Sequence, residues 1–172
     1  MIGFHDYISF AERHLEMAEV EIDAGKDANL FLIPSVILAW SAIESFVNNI
    51  LDIFDSLPAN LFEAHEKAFL MEKHLKFQES GKNAGQFAIK GNAFKKLSDK
   101  ILFLIVKCGS EVKLNDTPWK DFERLKDIRD ALVHPRQTKH KVLDADITRD
   151  CINISKRVIV FISEGLGHKV DF

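Results

Sequence analysis

The sequence predicts an all-α fold, an antiparallel bundle of four to five main helices with additional short helices. Apolar residues recur at alternating steps of three and four in four long segments, which places each set on one face of a helix. No segment shows the alternation of a half-buried strand, and neither an internal repeat nor a low-complexity tract occurs. Because four apolar stripes must bury one another, a helical bundle is the expected packing.

The four stripes define the four main helices. The second helix is expected to begin just after Pro34, because proline is favoured in the first turn of a helix. It is apolar nearly all round, which predicts that it is the central and most buried helix. The stripes consist of Phe4, Ile8, Ala11, Leu15, Ala18 and Ile22; of Val36, Trp40, Ile43, Val47, Ile50 and Phe54; of Phe94, Leu97, Ile101, Leu104 and Cys108; and of Ile147, Cys151, Ile154, Val158 and Phe161.

The segments between the stripes predict a further helix, a loop and a fifth long helix. Residues 58–77, "PANLFEAHEKAFLMEKHLKF", have the composition of a helix that begins after a proline. Residues 79–92 contain three glycines and are expected to form a loop. The fifth helix begins at a capping residue, Asp116 or Thr117, and has Pro118 in its first turn.

Length and composition indicate a single domain with a real core. The chain has 172 residues, 47% of them hydrophobic, and this size favours one helical domain over residues 1–172. Its formal net charge of −3 gives no overall attraction to nucleic acid or to an anionic membrane. Any contact with RNA must therefore come from a local patch.

The cysteines and the N-terminus indicate where the protein works. Cys108 and Cys151 both fall in apolar helical patterns, which is typical of core residues of a reduced protein rather than of a disulfide. No zinc-ligand spacing occurs, and neither a metal nor a cofactor is expected. No targeting signal and no apolar run near the roughly 20 residues of a membrane span are found. These observations predict a soluble, cytoplasmic protein without membrane contact.

Residues 124–137, "RLKDIRDALVHPRQ", combine a helix end with candidate catalytic residues. Pro135 disfavours the helical conformation in the residue before it, so the helix should end at Val133 and leave His134 at the boundary. In a regular helix, Arg129 and His134 would point about 140° apart. A bend at His134 lets the two side chains converge, and a guanidinium fork beside an imidazole suits a phosphate group.

A polar seam on the second helix supplies a partner for this motif. Ser41, Glu44 and Asn48 step by three and four, beside the apolar stripe to which Trp40 is assigned as a core residue. Glu44 is expected to be buried, and a buried carboxylate costs several kcal/mol unless it is paired. Arg129 is the predicted partner.

The segments "AWSAIESFVNNIL" and "IRDALVHPR" resemble the HEPN domain (higher eukaryotes and prokaryotes nucleotide-binding). The likeness rests on Arg129, followed by the polar Asp130 and, after four intervening residues, by His134. It implies a helical bundle that dimerises so that two Arg–His motifs face one cleft. In active members of the family this cleft is a metal-independent endoribonuclease, often a toxin of a toxin–antitoxin pair or part of antiviral defence. The partners implied are a second copy, an RNA substrate and an antitoxin protein.

The resemblance also implies a role for each residue. His134 would take part in acid–base catalysis on the ribose 2′-hydroxyl or the leaving oxygen, giving 2′,3′-cyclic phosphate ends. Arg129 would hold the scissile phosphate, and Asp130 would orient the motif by hydrogen bonding. Glu44, Asn48 and Ser41 would support the site from the neighbouring helix.

Each candidate residue also has a purely structural interpretation. Arg129 and Glu44 can form an internal ion pair that touches no ligand. His134 can be a helix-terminal imidazole favoured by the helix dipole. The alternative function is accordingly a non-catalytic HEPN-like module that binds a partner protein or a nucleotide. Four residues after the motif either extend a phosphate-binding surface or form a solvated loop; they are Arg136, Lys139, His140 and Lys141.

Overall fold

The computed structural model describes residues 3–57, 61–108, 116–134 and 143–172. Within these ranges the chain forms six helices and one two-stranded antiparallel sheet, so the all-α class is confirmed with a small sheet added to it. The elements are α1 (Phe4–Asp23), α2 (Asn29–Ser56), α3 (Ala64–Leu70), β1 (Lys73–Phe77), β2 (Phe87–Asn92), α4 (Leu97–Lys107), α5 (Thr117–Val133) and α6 (Ala145–Gly165).

The chain divides into two compact units. The first contains Met1–Phe46 and Leu104–Phe172, and the second contains Val47–Phe103. The division falls inside α2 and inside α4, so the two units share these helices. The assignment of residues 1–172 to one domain stays a prediction.

The first unit contains antiparallel helices whose ion pairs give their direction. On α1 and α6, Glu12 pairs with Lys156 at 2.6 Å and Glu19 pairs with Arg149, so one helix ascends as the other descends. The α5–α6 pair has the same arrangement, because Asp121 binds Arg157 and Arg124 binds Asp150. Its buried core includes residues of all four predicted stripes, namely Ile8, Ala11, Leu15, Ala18, Val36, Trp40, Ile43, Leu104, Cys151, Ile154 and Val158.

Two buried serines bring helices of the first unit close together. The Ser35 hydroxyl on α2 donates to the Ala11 carbonyl on α1 at 2.7 Å, and the Ser155 hydroxyl on α6 donates to the Ala39 carbonyl on α2 at 2.8 Å. Both serines are fully buried. A small side chain with a satisfied hydroxyl lets two backbones approach without leaving a polar group unpaired.

Helix α2 begins earlier than the sequence predicts. It starts at Asn29, and Pro34 lies inside it instead of in its first turn. The Asp27 carboxylate accepts from the backbone N–H of Asn29 at 2.9 Å, and the Ala28 carbonyl accepts from Phe31 and Leu32. These contacts start the helix upstream, and Pro34 then costs one backbone hydrogen bond near the helix start.

Two further expectations about α2 are wrong: that no segment is long and apolar enough to span a membrane, and that α2 is buried on nearly all sides. With 28 residues and a mean hydropathy of 1.9 over its most apolar window, it is long and apolar enough to cross a membrane. Half of that window is buried, and one such helix is weak evidence for a membrane span, because core helices of soluble proteins and signal sequences meet the same criteria. The helix is also not buried all round, because Leu30 is 75% exposed and Ile53 is 59% exposed.

In the second unit, the helix predicted over residues 58–77 is wrong beyond Leu70. Residues 58–60 lie outside the described ranges, and α3 covers only Ala64–Leu70. Glu72 then adopts a left-handed conformation with φ of 50°, and the chain enters β1. A left-handed residue ends a helix because its backbone cannot continue the right-handed spiral.

The predicted loop over residues 79–92 contains a strand. Its second half is β2, which pairs with β1 so that Leu75 opposes Ile89 and Phe77 opposes Phe87. The connection runs from 78 to 86, and the positive φ of Gly81 there is one that glycine adopts without steric cost. Only the connecting part of the predicted loop is therefore confirmed.

The third predicted stripe is buried only in its middle. Ile101 and Leu104 are in the core, but Phe94 is 89% exposed and precedes the start of α4. Cys108 is exposed, contrary to its assignment to the core, while Cys151 is buried as expected. Partial burial nevertheless raises the pKa of the Cys108 thiol above its ordinary value.

Candidate functional site

Helix α5 ends where the sequence predicts. Asp116 occupies the N-cap position, Pro118 lies in the first turn, and the last helical residue is Val133. His134 has φ of −123° and ψ of 67°, outside the helical region, while its backbone N–H still donates to the Asp130 carbonyl at 2.9 Å. The imidazole is thus carried by a residue at which the chain leaves the helix.

Three groups surround the Arg129 guanidinium. Its Nη1 donates to the Asp130 carboxylate at 2.8 Å, and its Nη2 lies 3.8 Å from the Glu44 carboxylate. The guanidinium carbon is 5.3 Å from the centroid of the Trp40 ring, within the range of a cation–π interaction. The predicted pairing of Glu44 with Arg129 is therefore present, as an ion pair longer than a hydrogen bond.

Trp40 positions the Glu44 carboxylate. The indole Nε1–H donates to Glu44 at 2.7 Å, one helical turn along α2. The Trp40 ring stacks on Phe122 with centroids 5.4 Å apart, and Phe122 also contacts Trp119 at 5.3 Å. Because Trp40 and Phe122 are buried, this aromatic column gives the carboxylate a rigid support at the edge of the core.

The charged side chains of the site are open to solvent. The side chain of Arg129 is 28% exposed, that of Glu44 is 41% exposed and that of Asp130 is 44% exposed. The expectation that Glu44 is a buried carboxylate is therefore wrong. An ion pair this exposed contributes about 0 to 1 kcal/mol, so the fold does not depend on it. A guanidinium has five N–H donors, and one hydrogen bond to Asp130 leaves several for a ligand.

His134 is accessible from solvent. Its side chain is exposed, and within the residues that the structure describes the imidazole has no hydrogen-bond or ion-pair partner. Both ring nitrogens are therefore open to hydrogen bonds with a ligand. Together with Arg129, five residues earlier, this provides a cation for phosphate oxygens and an imidazole as a candidate acid or base.

The other predicted site residues have different positions. Ser41 is half-buried on α2 in the first unit. Asn48 belongs to the second unit, where its amide oxygen accepts from the Lys100 ammonium at 3.4 Å. Arg136, Lys139, His140 and Lys141 lie outside the described residues. In the described ranges, no group of three His, Cys, Asp or Glu side chains is arranged to hold a metal ion.

Sequence reasoning missed the second role of Trp40. The apolar stripe correctly predicts that Trp40 is buried, and the structure adds that its indole N–H holds Glu44. The signal was present in the sequence, because residues four apart on a helix are neighbours on its surface.

Comparison with known proteins leaves the site to be judged on its own residues. Neither a protein-family model, nor a curated protein, nor a solved structure matches this chain. The HEPN resemblance therefore stays a prediction carried by Arg129, Asp130 and His134.

Replacing Trp40 with phenylalanine tests the support of Glu44. The change removes the indole N–H while keeping an aromatic ring, so the free energy of unfolding should fall by about 0.5 to 1.5 kcal/mol beyond the effect of the smaller ring. Trp119→Phe is the matched control, because Trp119 is also buried against Phe122 and its indole has no hydrogen-bond partner among the described residues. Urea unfolding followed by circular dichroism measures both. Equal losses in the two variants would mean that the bond to Glu44 contributes nothing.

Proposed function

We propose that the chain is a metal-independent endoribonuclease of the HEPN type, acting as a dimer with a composite Arg–His cleft. One observation carries the proposal: an exposed imidazole without a described partner stands at the exit of α5, five residues after an arginine that has donors left for a ligand. This arrangement leaves both side chains accessible to a phosphate ligand.

The chemistry follows from the two side chains. Arg129 holds the non-bridging oxygens of the scissile phosphate and offsets charge that develops there in the transition state. The ribose 2′-oxygen attacks phosphorus as its proton passes to an imidazole, and the bond from phosphorus to the 5′-oxygen breaks as that oxygen gains a proton. The products are a 2′,3′-cyclic phosphate and a 5′-hydroxyl.

A dimer supplies the second proton-transfer group. One His134 can accept the proton of the 2′-hydroxyl or protonate the leaving oxygen, but not both within one step. A two-fold arrangement with a second copy places another His134 at the same phosphate. Asp130 and Glu44 orient the guanidinium, while Ser41 and Asn48 are proposed as supporting residues.

A cellular role follows from the family resemblance. We place the protein in the cytoplasm, in a toxin–antitoxin pair or in antiviral defence, with an antitoxin protein as its partner. A nuclease that damages the RNA of its own cell requires a partner that inhibits it, and the antitoxin protein would have this role. The resemblance alone supports this part of the proposal.

A second candidate function has its own supporting observation. The Arg129 guanidinium already has Glu44 and Asp130 as partners and lies near Trp40, so the same residues form a network between α2 and α5 without any ligand. In that case the chain is a non-catalytic module that binds a partner protein or a nucleotide. The two functions differ in whether RNA is cleaved.

The proposed function predicts RNA cleavage in the absence of metal ions. Purified protein incubated with mixed cellular RNA in EDTA should produce fragments that carry 2′,3′-cyclic phosphate and 5′-hydroxyl ends, because neither Arg129 nor His134 needs a metal. End-specific labelling of the fragments measures this. Fragments with 3′-hydroxyl and 5′-phosphate ends would contradict attack by the 2′-hydroxyl. Full activity from a monomer, with mass measured by light scattering in the assay buffer, would contradict the composite cleft.

A further inference from the structure

A strongly basic segment lies in the second unit. We call residues 73–96 the hairpin surface; it comprises β1, β2, their connection and the four residues that lead to α4. It contains six lysines and one glutamate, a formal net charge of +5 in a chain of −3. The remainder of the chain is therefore clearly acidic, and this segment is the local patch that a contact with a polyanion requires.

Exposed aromatic rings occupy the same segment. Phe77 is 52% exposed and Phe87 is 64% exposed, and they form a cross-strand pair with ring centroids 5.4 Å apart. Phe94, after β2, is 89% exposed. The pair stabilises the hairpin, yet each phenylalanine keeps more than half of its surface accessible.

The register of the hairpin separates its two faces. Phe77 and Phe87 lie on one face, and His74, Lys76 and Lys90 lie on the other, because successive strand residues point to opposite sides. A two-stranded ribbon has strands only about 5 Å apart, so a lysine side chain on one face reaches past the ribbon edge. Lys76 and Lys90 therefore start from the face opposite the phenyl rings, and they bind a strand on the aromatic face by reaching around the edges of the ribbon.

The ammonium groups of the hairpin are available to a ligand. Among the described residues, Lys76, Lys82 and Lys90 have no carboxylate partner. Lys100 in the same unit shows the contrast, because it is bound to Glu72 and its side chain is only 13% exposed. Unpaired cations attract phosphates without first breaking an internal ion pair.

Two simpler explanations account for only part of this pattern. Lysines on an edge strand discourage pairing with other sheets, but the exposed phenyl rings of Phe77 and Phe87 work against that purpose. A protein-binding patch explains the rings, but lysine is depleted at the centres of such interfaces. Basic side chains together with accessible aromatic rings on one short segment are typical of surfaces that bind single-stranded nucleic acid.

We propose that the hairpin surface binds single-stranded RNA, with bases stacked on Phe77, Phe87 and Phe94 and phosphates bound by Lys76, Lys82 and Lys90. The choice of RNA over DNA rests on the proposed function. Base stacking requires unpaired bases, so duplexes should bind weakly. The surface is a binding element and contributes no group to the cleavage step.

The test is fluorescence anisotropy of a labelled single-stranded RNA with the full chain carrying His134→Ala, which prevents cleavage during titration. Replacing both Phe77 and Phe87 with alanine should raise Kd roughly 10- to 100-fold. Replacing both Lys76 and Lys90 with alanine should lower the slope of log K against log salt by about 1.4, since each phosphate contact on a single strand contributes about 0.7.

Matched controls exclude general effects of charge and hydrophobicity. Phe10→Ala removes another exposed phenyl ring, 44% exposed on α1, and Lys120→Ala with Lys169→Ala removes the same charge from the first unit. These variants should bind RNA as tightly as the chain that carries His134→Ala alone. Leucine at Phe77 and Phe87 keeps the apolar contact of the hairpin but removes stacking, so it should reproduce most of the loss. Circular dichroism and gel filtration verify the fold of each variant.

The results of this test can be distinguished from a failure of the proposed nuclease function. Unchanged RNA affinity in the hairpin variants overturns this inference, even if the unsubstituted chain cleaves RNA. Weakening by the lysine changes alone also overturns it, because the surface would then be a general polyanion site; heparin, which has no bases, should bind the phenylalanine variants and the parent equally. Loss of RNA binding in both sets of variants, with no cleavage by the unsubstituted chain, would support the hairpin surface and refute the nuclease.

Discussion

Replacing His134 with alanine is expected to lower the rate of RNA cleavage by about 100- to 10,000-fold, the usual contribution of a positioned acid or base. The free energy of unfolding should change by no more than about 0.5 kcal/mol, because the side chain is exposed and has no described partner. Cleavage rates in EDTA and urea unfolding of the same preparations measure the two effects.

His168→Ala is the matched control for this substitution. His168 is also an exposed histidine that follows the end of a helix, and it lies outside the candidate site. Its replacement should leave the rate unchanged. If His134 serves only the helix dipole, the variant should instead lose up to about 1 kcal/mol of stability, with cleavage intact. That result would remove His134 from the mechanism.

Replacing Arg129 with alanine is expected to reduce cleavage by about 100- to 1,000-fold, the effect of losing a group that stabilises charge in the transition state. Stability should fall by only about 1 kcal/mol, because the Glu44 ion pair is exposed and Glu44 keeps its hydrogen bond from Trp40. Arg129→Lys should recover a minor part of the rate, since lysine keeps the charge but lacks the fork of donors.

Arg124→Ala separates this effect from the general loss of an arginine on α5. Arg124 is 50% exposed and pairs with Asp150 at 2.7 Å, so its removal also breaks a surface ion pair on the same helix. Cleavage should be unaffected. A loss of several kcal/mol in Arg129→Ala, with no change in cleavage, would support the scaffold interpretation and refute the catalytic one.

The local geometry of the candidate site was partly predictable from the sequence. Pro135 correctly predicted the end of α5 at Val133, because its steric effect acts on the adjacent residue alone. The predicted pairing of Glu44 with Arg129 is present, although it was predicted from an expected burial of Glu44. The burial of Glu44 was wrong, since exposure depends on which neighbours cover a side chain and not on its position in a periodic pattern.

The hairpin shows where local patterns fail. β1 has five residues and β2 has six, and each contributes one alternating pair of apolar residues, Leu75 with Phe77 and Phe87 with Ile89. So short an alternation cannot be distinguished from part of a helical stripe. A strand is stabilised by its partner, so its identity depends on a pairing that neither segment reveals alone.

By itself, the sequence determined the helices with long stripes, the end of α5 and the residue types available to the site, because helical periodicity and proline sterics act over a few neighbouring residues. Only the tertiary structure decided that Glu44 is open to solvent, that Phe94 and Cys108 are exposed, and that residues 73–92 pair as a hairpin. These features depend on which distant surfaces meet, and that is set by the packing of the whole chain.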